Sequence, residues 1–197
     1  MRRCYSDCVP NRQPPLPDIW LVSDARNDAA LERILARLPR GSGLIFRHYH
    51  LDDKARRARF ARLARTARRH GHCVVLSGSA REARRWNAGG AYGAPDRLAR
   101  GPAMLRLATV HSLHELAKAH HARADAVLIS PVFATRSHPG AGTLGPVRFR
   151  LLAIRSRVPV IALGGMTAQR ARCMGASKWA AIQGLAERPT AMFPLHS

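Results

Sequence analysis

No stretch of this chain approaches the 18 or so consecutive apolar residues that a membrane helix requires. Its first residues, Met1-Arg2-Arg3-Cys4-Tyr5-Ser6-Asp7, lack the apolar segment of a signal peptide. Both absences lead to the expectation of a cytoplasmic protein with no membrane partner. Cysteine is scarce: Cys4, Cys8, Cys73 and Cys173 form no C-x-x-C pair. Cys73 lies inside the apolar run Cys73-Val74-Val75-Leu76, where a reduced, buried thiol is expected, and Cys4 and Cys8 have no nearby His or Cys to complete four metal ligands. Acidic residues are few, 12 against 33 basic ones, and lysine is nearly missing, with only Lys54, Lys118 and Lys178.

What remains is a very arginine-rich chain of net charge +21. Such a charge attracts polyanions at low salt, so nonspecific nucleic-acid binding is expected. A dedicated nucleic-acid binder concentrates its cations on one face with interleaved aromatics. Here arginine recurs in almost every helical segment and aromatics make up only 6%. The run Arg56, Arg57, Arg59, Arg62, Arg65, Arg68 and Arg69 reads as a solvated helix surface, and the charge as a compositional preference for Arg over Lys.

The 197 residues, 46% of them hydrophobic, suffice for one substantial core. Pro10, Pro14, Pro15 and Pro17 mark residues 1–17 as a loose, disordered leader, and residues 18–197 read as a single domain. From there strand and helix signals alternate. The strands are Ile19–Val22, Gly43–Phe46, Cys73–Leu76, a weak one at Gly90–Tyr92, Met104–Thr109, Ala126–Ser130, Val158–Leu163 and Trp179–Ile182. Helices are announced over Ala29–Leu38, then by the apolar face of Ala55, Phe60, Leu63, Ala64 and Ala67, by Ala80–Trp86 with Ser79 as N-cap, and from Ser112 through His121. Glu115 stands at the third position of that last helix, as in a capping box. The segment from Gly93 to Arg97 and on to Met104 carries little helical signal.

Eight strands alternating with helices imply a parallel sheet. Nearly every strand end carries polar groups, whereas an open doubly wound sheet concentrates them at one switch point. The reading is therefore a compact (β/α)8 barrel, short against the usual length of about 250 residues. Two strands empty into loops suited to an anion. Ala126-Val127-Leu128-Ile129-Ser130 leads into Pro131-Val132-Phe133-Ala134-Thr135-Arg136-Ser137-His138, and Val158-Pro159-Val160-Ile161-Ala162-Leu163 ends at Gly164-Gly165-Met166-Thr167 before a helix. Backbone N–H groups at such a turn point at a bound phosphate, and Gln183-Gly184 after the eighth strand adds the neighbouring position.

Val110-His111-Ser112 before a helix, Ser130-Pro131-Val132-Phe133-Ala134-Thr135, the Pro159 to Thr167 segment and Gly175-Ala176-Ser177 together resemble the thiamine phosphate synthase/TenI superfamily. The resemblance runs from about Asp18 to Leu185, its specific part following Thr109. It implies a TIM barrel. It further implies one of two activities: joining a pyrimidine pyrophosphate to a thiazole phosphate with release of pyrophosphate and help from Mg²⁺, or isomerising the thiazole phosphate's precursor. A noncatalytic phosphate-ligand binder is the third reading. A homodimer is kept open.

Carried over by position, the resemblance implies Arg47 as a catalytic candidate, with His138 in the place of a family Lys and Arg136 supplying charge beside it. His111 and His138 are further candidates for acid–base work because imidazole titrates near neutral pH. The resemblance implies Thr109, Ser112, Thr135, Gly164, Gly165, Gln183 and Gly184 for substrate and phosphate. Departures are marked. Of a Gln-x-Arg-x-Lys pattern after strand two only Arg47 survives, and Leu76-Ser77-Gly78-Ser79 stands where the synthases carry Asn-Asp with a metal-holding carboxylate. Asp96 is the one candidate for a second metal ligand. The isomerase branch places a catalytic His before Val-Phe in the strand-six loop, where this chain has Pro131. His48 and His50 read as solvated or packed on the following helix, and Ser79 as a cap.

Overall fold

Short runs of aliphatic residues become strands here because both of their faces are covered, as in parallel sheets flanked by helices. In the computed structural model, which describes residues 15–135 and 142–185, these runs are β1 (Ile19–Val22), β2 (Gly43–Phe46), β3 (Cys73–Ser77), β4 (Gly90–Gly93), β5 (Leu105–Val110), β6 (Ala126–Ile129), β7 (Val160–Leu163) and β8 (Trp179–Ala181). Each pairs in parallel with its sequence neighbours and β8 returns to β1, so the sheet closes. The closed eight-stranded barrel is the fold expected from the sequence. Residues 1–14 of the expected leader lie outside the described residues; Pro17 already offers its carbonyl to the Trp20 indole N–H at 2.8 Å.

Alternation along each strand sorts side chains into two cores. Trp20, Val22, Ile45, Val75, Leu107, Leu128 and Ile161 fill the barrel interior. Leu21, Leu44, Phe46, Val74, Leu76, Val127 and Ala162 face the helices and pack with Leu31, Leu35, Phe60, Leu63 and Leu116. The helices are α1 (Leu31–Arg37), α2 (Asp53–Arg69), α3 (Ala80–Arg85), α4 (Pro95–Leu98), α5 (Leu113–His121), α6 (Gly145–Ile154) and α7 (Ala168–Met174). Among the described residues no helix is long and apolar enough to cross a membrane.

Three local features depart from the sequence pattern. The first helix starts at Leu31 rather than Ala29, since Asp24 caps a 3-10 segment over Ala25–Ala30 and Asn27 returns a side-chain bond to the Asp24 N–H. The stretch with little helical signal contains α4, a single turn started by Pro95 at a position where no N–H is needed. α6 is poorly announced because Val147, Leu151 and Ile154 point outward, which blurs its amphipathic stripe.

The arginine run of α2 is not uniformly solvated either. Arg56 and Arg59 are each only 8% exposed. Arg59 donates from Nε to Asp28 at 2.7 Å and also pairs with Glu32, while Arg56 reaches Glu82 at 2.9 Å. Burying a guanidinium is tolerable only with such partners. Cys73 is only partly buried rather than fully so as expected, and that burial pushes its thiol pKa up to about 11.

Trp20 is the largest fully buried side chain. Trp20→Ala is expected to cost about 3–5 kcal/mol of stability, read as a lowered urea midpoint at unchanged secondary structure.

Candidate functional site

Because all eight strands run the same way, their C-terminal ends open on one face, and the loops there enclose a cavity of about 1060 Å³. Of the residues expected at the site, Arg47, Thr109, His111, Thr135, Gly164, Gly165, Gln183 and Gly184 line it together. Ser112 does not: its hydroxyl accepts from the Glu115 N–H at 3.2 Å and caps α5. The capping box closes one residue early, since the Glu115 carboxylate accepts from the His111 N–H at 2.6 Å. Arg136 and His138 lie outside the described residues. Sequence reasoning missed Arg26, Tyr49, Tyr92, Arg97, Ser130 and Arg170, which line the same cavity. Nothing in their local sequence separates these arginines from the many on the surface; only position on a strand-end loop could have singled them out.

The β7 and β8 loops form one end. Gly164 has φ +98°, and a Cβ there would stand 2.7 Å from Cα of Pro131, so only glycine lets the β6 and β7 loops approach. The two loops are stitched by the Val132 N–H donating to the Leu163 carbonyl at 2.9 Å and the Phe133 N–H to the Gly164 carbonyl at 3.1 Å. Arg170 donates to the Gly165 carbonyl and lies over the Phe133 ring at 4.6 Å from its centroid. This end thus offers Gly164, Gly165, Gln183 and Gly184 with a guanidinium beside them.

The ends of β2, β3 and β4 form the other side. Arg47 is held at its backbone: its N–H donates to Ser23 Oγ at 2.8 Å and its carbonyl accepts from Arg56 Nε at 2.9 Å. Its guanidinium lies 5.3 Å from the Tyr49 ring centroid, and its Nε is buried without a hydrogen-bond partner among the described residues. The Tyr49 hydroxyl pairs with Ser77 Oγ. Burial pushes the Tyr92 hydroxyl up to about 12, so it remains a proton-bearing donor at neutral pH.

Beneath Arg47 lies a buried polar network. Ser23 Oγ and His48 Nδ1 are 2.8 Å apart, His48 Nε2 and Asp28 Oδ1 are 2.8 Å apart, and the imidazole stacks on Phe46 at 4.7 Å. His48 is therefore neither solvated nor turned toward α2 alone, which corrects the sequence reading. Ser23 and His48 are absent from the cavity lining, so their Ser–His–Asp order serves packing rather than nucleophilic attack.

His111 is differently placed. Its Nδ1 lies 2.6 Å from the Ser130 carbonyl, an acceptor only, so Nδ1 carries the proton. The other ring nitrogen, Nε2, is left for a ligand in the cavity. The donor set does not suit Mg²⁺, which favours carboxylate oxygens. Among the described lining residues there are four arginines and no Asp or Glu. Asp96, the expected metal ligand, is displaced from the cavity lining; its side chain is 76% exposed and 3.3 Å from Lys118 Nζ. No cluster of three or more His, Cys, Asp or Glu suited to a metal exists among the described residues.

Burial lowers the pKa of His48, outweighing the opposing bond to Asp28, and burial likewise lowers that of His72 despite its bond to the Leu35 carbonyl. In the unfolded chain both rings take up protons near pH ~6.5. The folded protein resists that uptake, so the stability present above this pH declines as pH falls through the lowered folded values. The urea midpoint is expected to drop between about pH 7.5 and about pH 5.5. His72→Gln, which can keep the bond to Leu35, is expected to show a smaller drop.

The model of the thiamine monophosphate synthase family matches residues 19–185. Over 59 residues the chain is 37% identical to the "Putative thiamine-phosphate synthase 2" of Aquifex aeolicus (strain VF5), a match spanning 30% of this chain and 32% of that relative. Among solved structures, thiamine phosphate pyrophosphorylase from Pyrococcus furiosus superposes with a TM-score of 0.71 at 20% identity, over 85% of this chain and 86% of that one. The YdjI aldolase from Escherichia coli K12 superposes with a TM-score of 0.61 at 7% identity, over 87% and 77%. At such identities the superpositions speak for the barrel, which hosts many chemistries. The family model, by contrast, runs through nearly every element from β1 to the loop after β8, and on that match the chain belongs to the thiamine monophosphate synthase family.

Proposed function

We propose that this protein joins a hydroxymethylpyrimidine diphosphate to a thiazole phosphate, forming thiamine phosphate and releasing diphosphate. The observation that carries the reading is the presence of cations on both sides of one cavity. Arg170 stands by the glycine turns of β7 and β8, and Arg47 and Arg97 stand by β2 and β4. In a closed eight-stranded barrel these strand ends face each other across the mouth. Two anionic substrates need two such seats, whereas isomerisation of a single thiazole phosphate needs one.

In this reaction the bond between the pyrimidine methylene and the diphosphate oxygen breaks, and its electron pair leaves on the diphosphate. The lone pair of the thiazole nitrogen forms the new C–N bond. No proton need be transferred. The barrier lies in the charge that gathers on the departing diphosphate, and preorganised guanidinium donors stabilise that charge more than they stabilise the ground state. The thiazole phosphate takes the glycine-turn end, with Arg170 opposite its charge, leaving the ring nitrogen toward the centre of the cavity.

One observation favours a second reading. The pinned His111 ring, with Nε2 available, is suited to moving a proton on a thiazole phosphate, as an isomerase of the same family would.

Incubation with both substrates and Mg²⁺, followed by measurement of thiamine phosphate, separates the two. Product above the no-protein background is expected; its absence together with conversion of the thiazole tautomer would transfer the assignment to the isomerase. Hydrogen bonds to charged groups contribute about 1.5–3 kcal/mol, or roughly tenfold to a hundredfold. Arg47→Ala is accordingly expected to lower kcat/KM for the pyrimidine diphosphate by about that factor, and Arg170→Ala to raise KM for the thiazole phosphate by about tenfold.

A further inference from the structure

We infer that the diphosphate seat works without a divalent cation, with Arg47 and Arg97 supplying the positive charge that a carboxylate-bound metal would otherwise bring. The inference rests on the two-anion reading above and specifies how one of its seats is built.

Four observations lead to it. The lining of the cavity, among the described residues, carries Arg26, Arg47, Arg97 and Arg170 and no carboxylate. A Mg²⁺ ion there would meet guanidinium charge of its own sign and no hard anionic ligand. Secondly, the carboxylates behind the wall are already committed. Asp24 holds Arg26 at 2.7 Å, Asp28 holds His48 and Arg59, and Glu82 holds Arg56 at 2.9 Å. Recruiting Asp28 or Glu82 to a metal would strip the buried Arg59 or Arg56 of its partner.

Thirdly, Arg47 lines the cavity beside Tyr49 and Ser77. Its setting is preorganised: the backbone is tied to Ser23 and Arg56, and the guanidinium is flanked by Tyr49, whose hydroxyl is itself tied to Ser77. Fourthly, the end of β3 lines the cavity with Ser77, whose hydroxyl is engaged by Tyr49 and is a poor ligand for a hard metal in any case. Arginine suits this task because its planar fork binds phosphate through two N–H groups at once.

The chemistry keeps its balance without metal. One C–O bond breaks as one C–N bond forms, the electron pair goes to the diphosphate, and the charge produced faces fixed cations. The consequence is that diphosphate binding, and the transfer it supports, should be indifferent to chelators. Added Mg²⁺ would compete with the arginines for diphosphate oxygens rather than assist them.

Isothermal titration of the full chain with inorganic pyrophosphate, in EDTA and in Mg²⁺, tests the idea. One-to-one binding in EDTA, no weaker than in Mg²⁺, is expected. Arg47→Ala and Arg97→Ala should each weaken it at least tenfold, while Arg47→Lys, which keeps the charge but not the fork, should fall between wild type and Arg47→Ala. Circular dichroism of each variant guards against misfolding. Binding only when Mg²⁺ is present would overturn the inference. So would binding in EDTA that is indifferent to both arginines, as expected from the chain's general basicity, or no binding in either buffer. The outcome is separable from the reaction itself: thiamine phosphate formed only with Mg²⁺ would sink the metal-free seat and leave the synthase reading intact. Metal-free pyrophosphate binding at Arg47 without product would do the reverse.

Discussion

The interaction on which this end of the barrel depends is the buried guanidinium of Arg56. From α2 it donates to the Arg47 carbonyl at 2.9 Å, to the Ser77 carbonyl at 2.7 Å and to the Glu82 carboxylate at 2.9 Å. It thereby joins the loop after β2, the end of β3 and helix α3. Trp86 lies 5.1 Å away, covering it with an aromatic surface. Two of its acceptors are backbone carbonyls, of Arg47 just past β2 and of Ser77 at the end of β3, so the cation bonds the backbone as well as satisfying its own donors. Arg59, one turn along the same helix, performs the parallel service for Asp28 and Glu32 below β1. Together they set the strand ends from which Arg47, Tyr49 and Ser77 reach the cavity.

This arrangement explains how so basic a chain tolerates a cavity lined by arginine. Four of the acidic residues, Asp24, Asp28, Glu32 and Glu82, pair with arginines around the strand ends. Arg26 holds the Asp24 carboxyl below the usual range, chiefly through their hydrogen bond, and Arg59 does the same for Glu32. Asp28 is also lowered, the pull of His48 and Arg59 exceeding the upward push of burial. At the mouth Arg26, Arg47, Arg97 and Arg170 line one cavity. Their charges create a positive field in a concave site, where it acts on an anion more strongly than the same charges would on an open surface.

How much could be read beforehand differs from residue to residue. The β strands were legible because their apolar runs are bounded by turns, and Gly164 and Gly165 because a glycine pair closing an apolar strand has few other uses. Arg47 was found as the surviving residue of a family pattern at the end of a strand. Arg97 and Arg170 were missed since each sits in a short helix among exposed arginines, with no local mark to distinguish it. Ser112 shows the opposite failure: a hydroxyl beside a strand end and a hydroxyl capping a helix share one pattern, and the backbone of α5 claimed it. Asp96 was proposed for want of another carboxylate, and in the fold Lys118 on α5 stands opposite it. His48 could not have been placed at all from sequence, because its partners Ser23 and Asp28 lie on the neighbouring strand end and segment.

By itself, then, the sequence determined the order of the eight strands, most of the helices between them, the glycine turns after β7 and β8, and the caps at Ser79 and Ser112. These are local: they follow from residue spacing, from a missing Cβ, or from a side-chain oxygen three residues before an N–H. Tertiary structure alone decided which of the many arginines became structural, which line the cavity and which stay in solvent. A guanidinium is buried only where a carboxylate or carbonyl from another strand or helix meets it, and such meetings are created by closure of the barrel rather than by any neighbour in the chain.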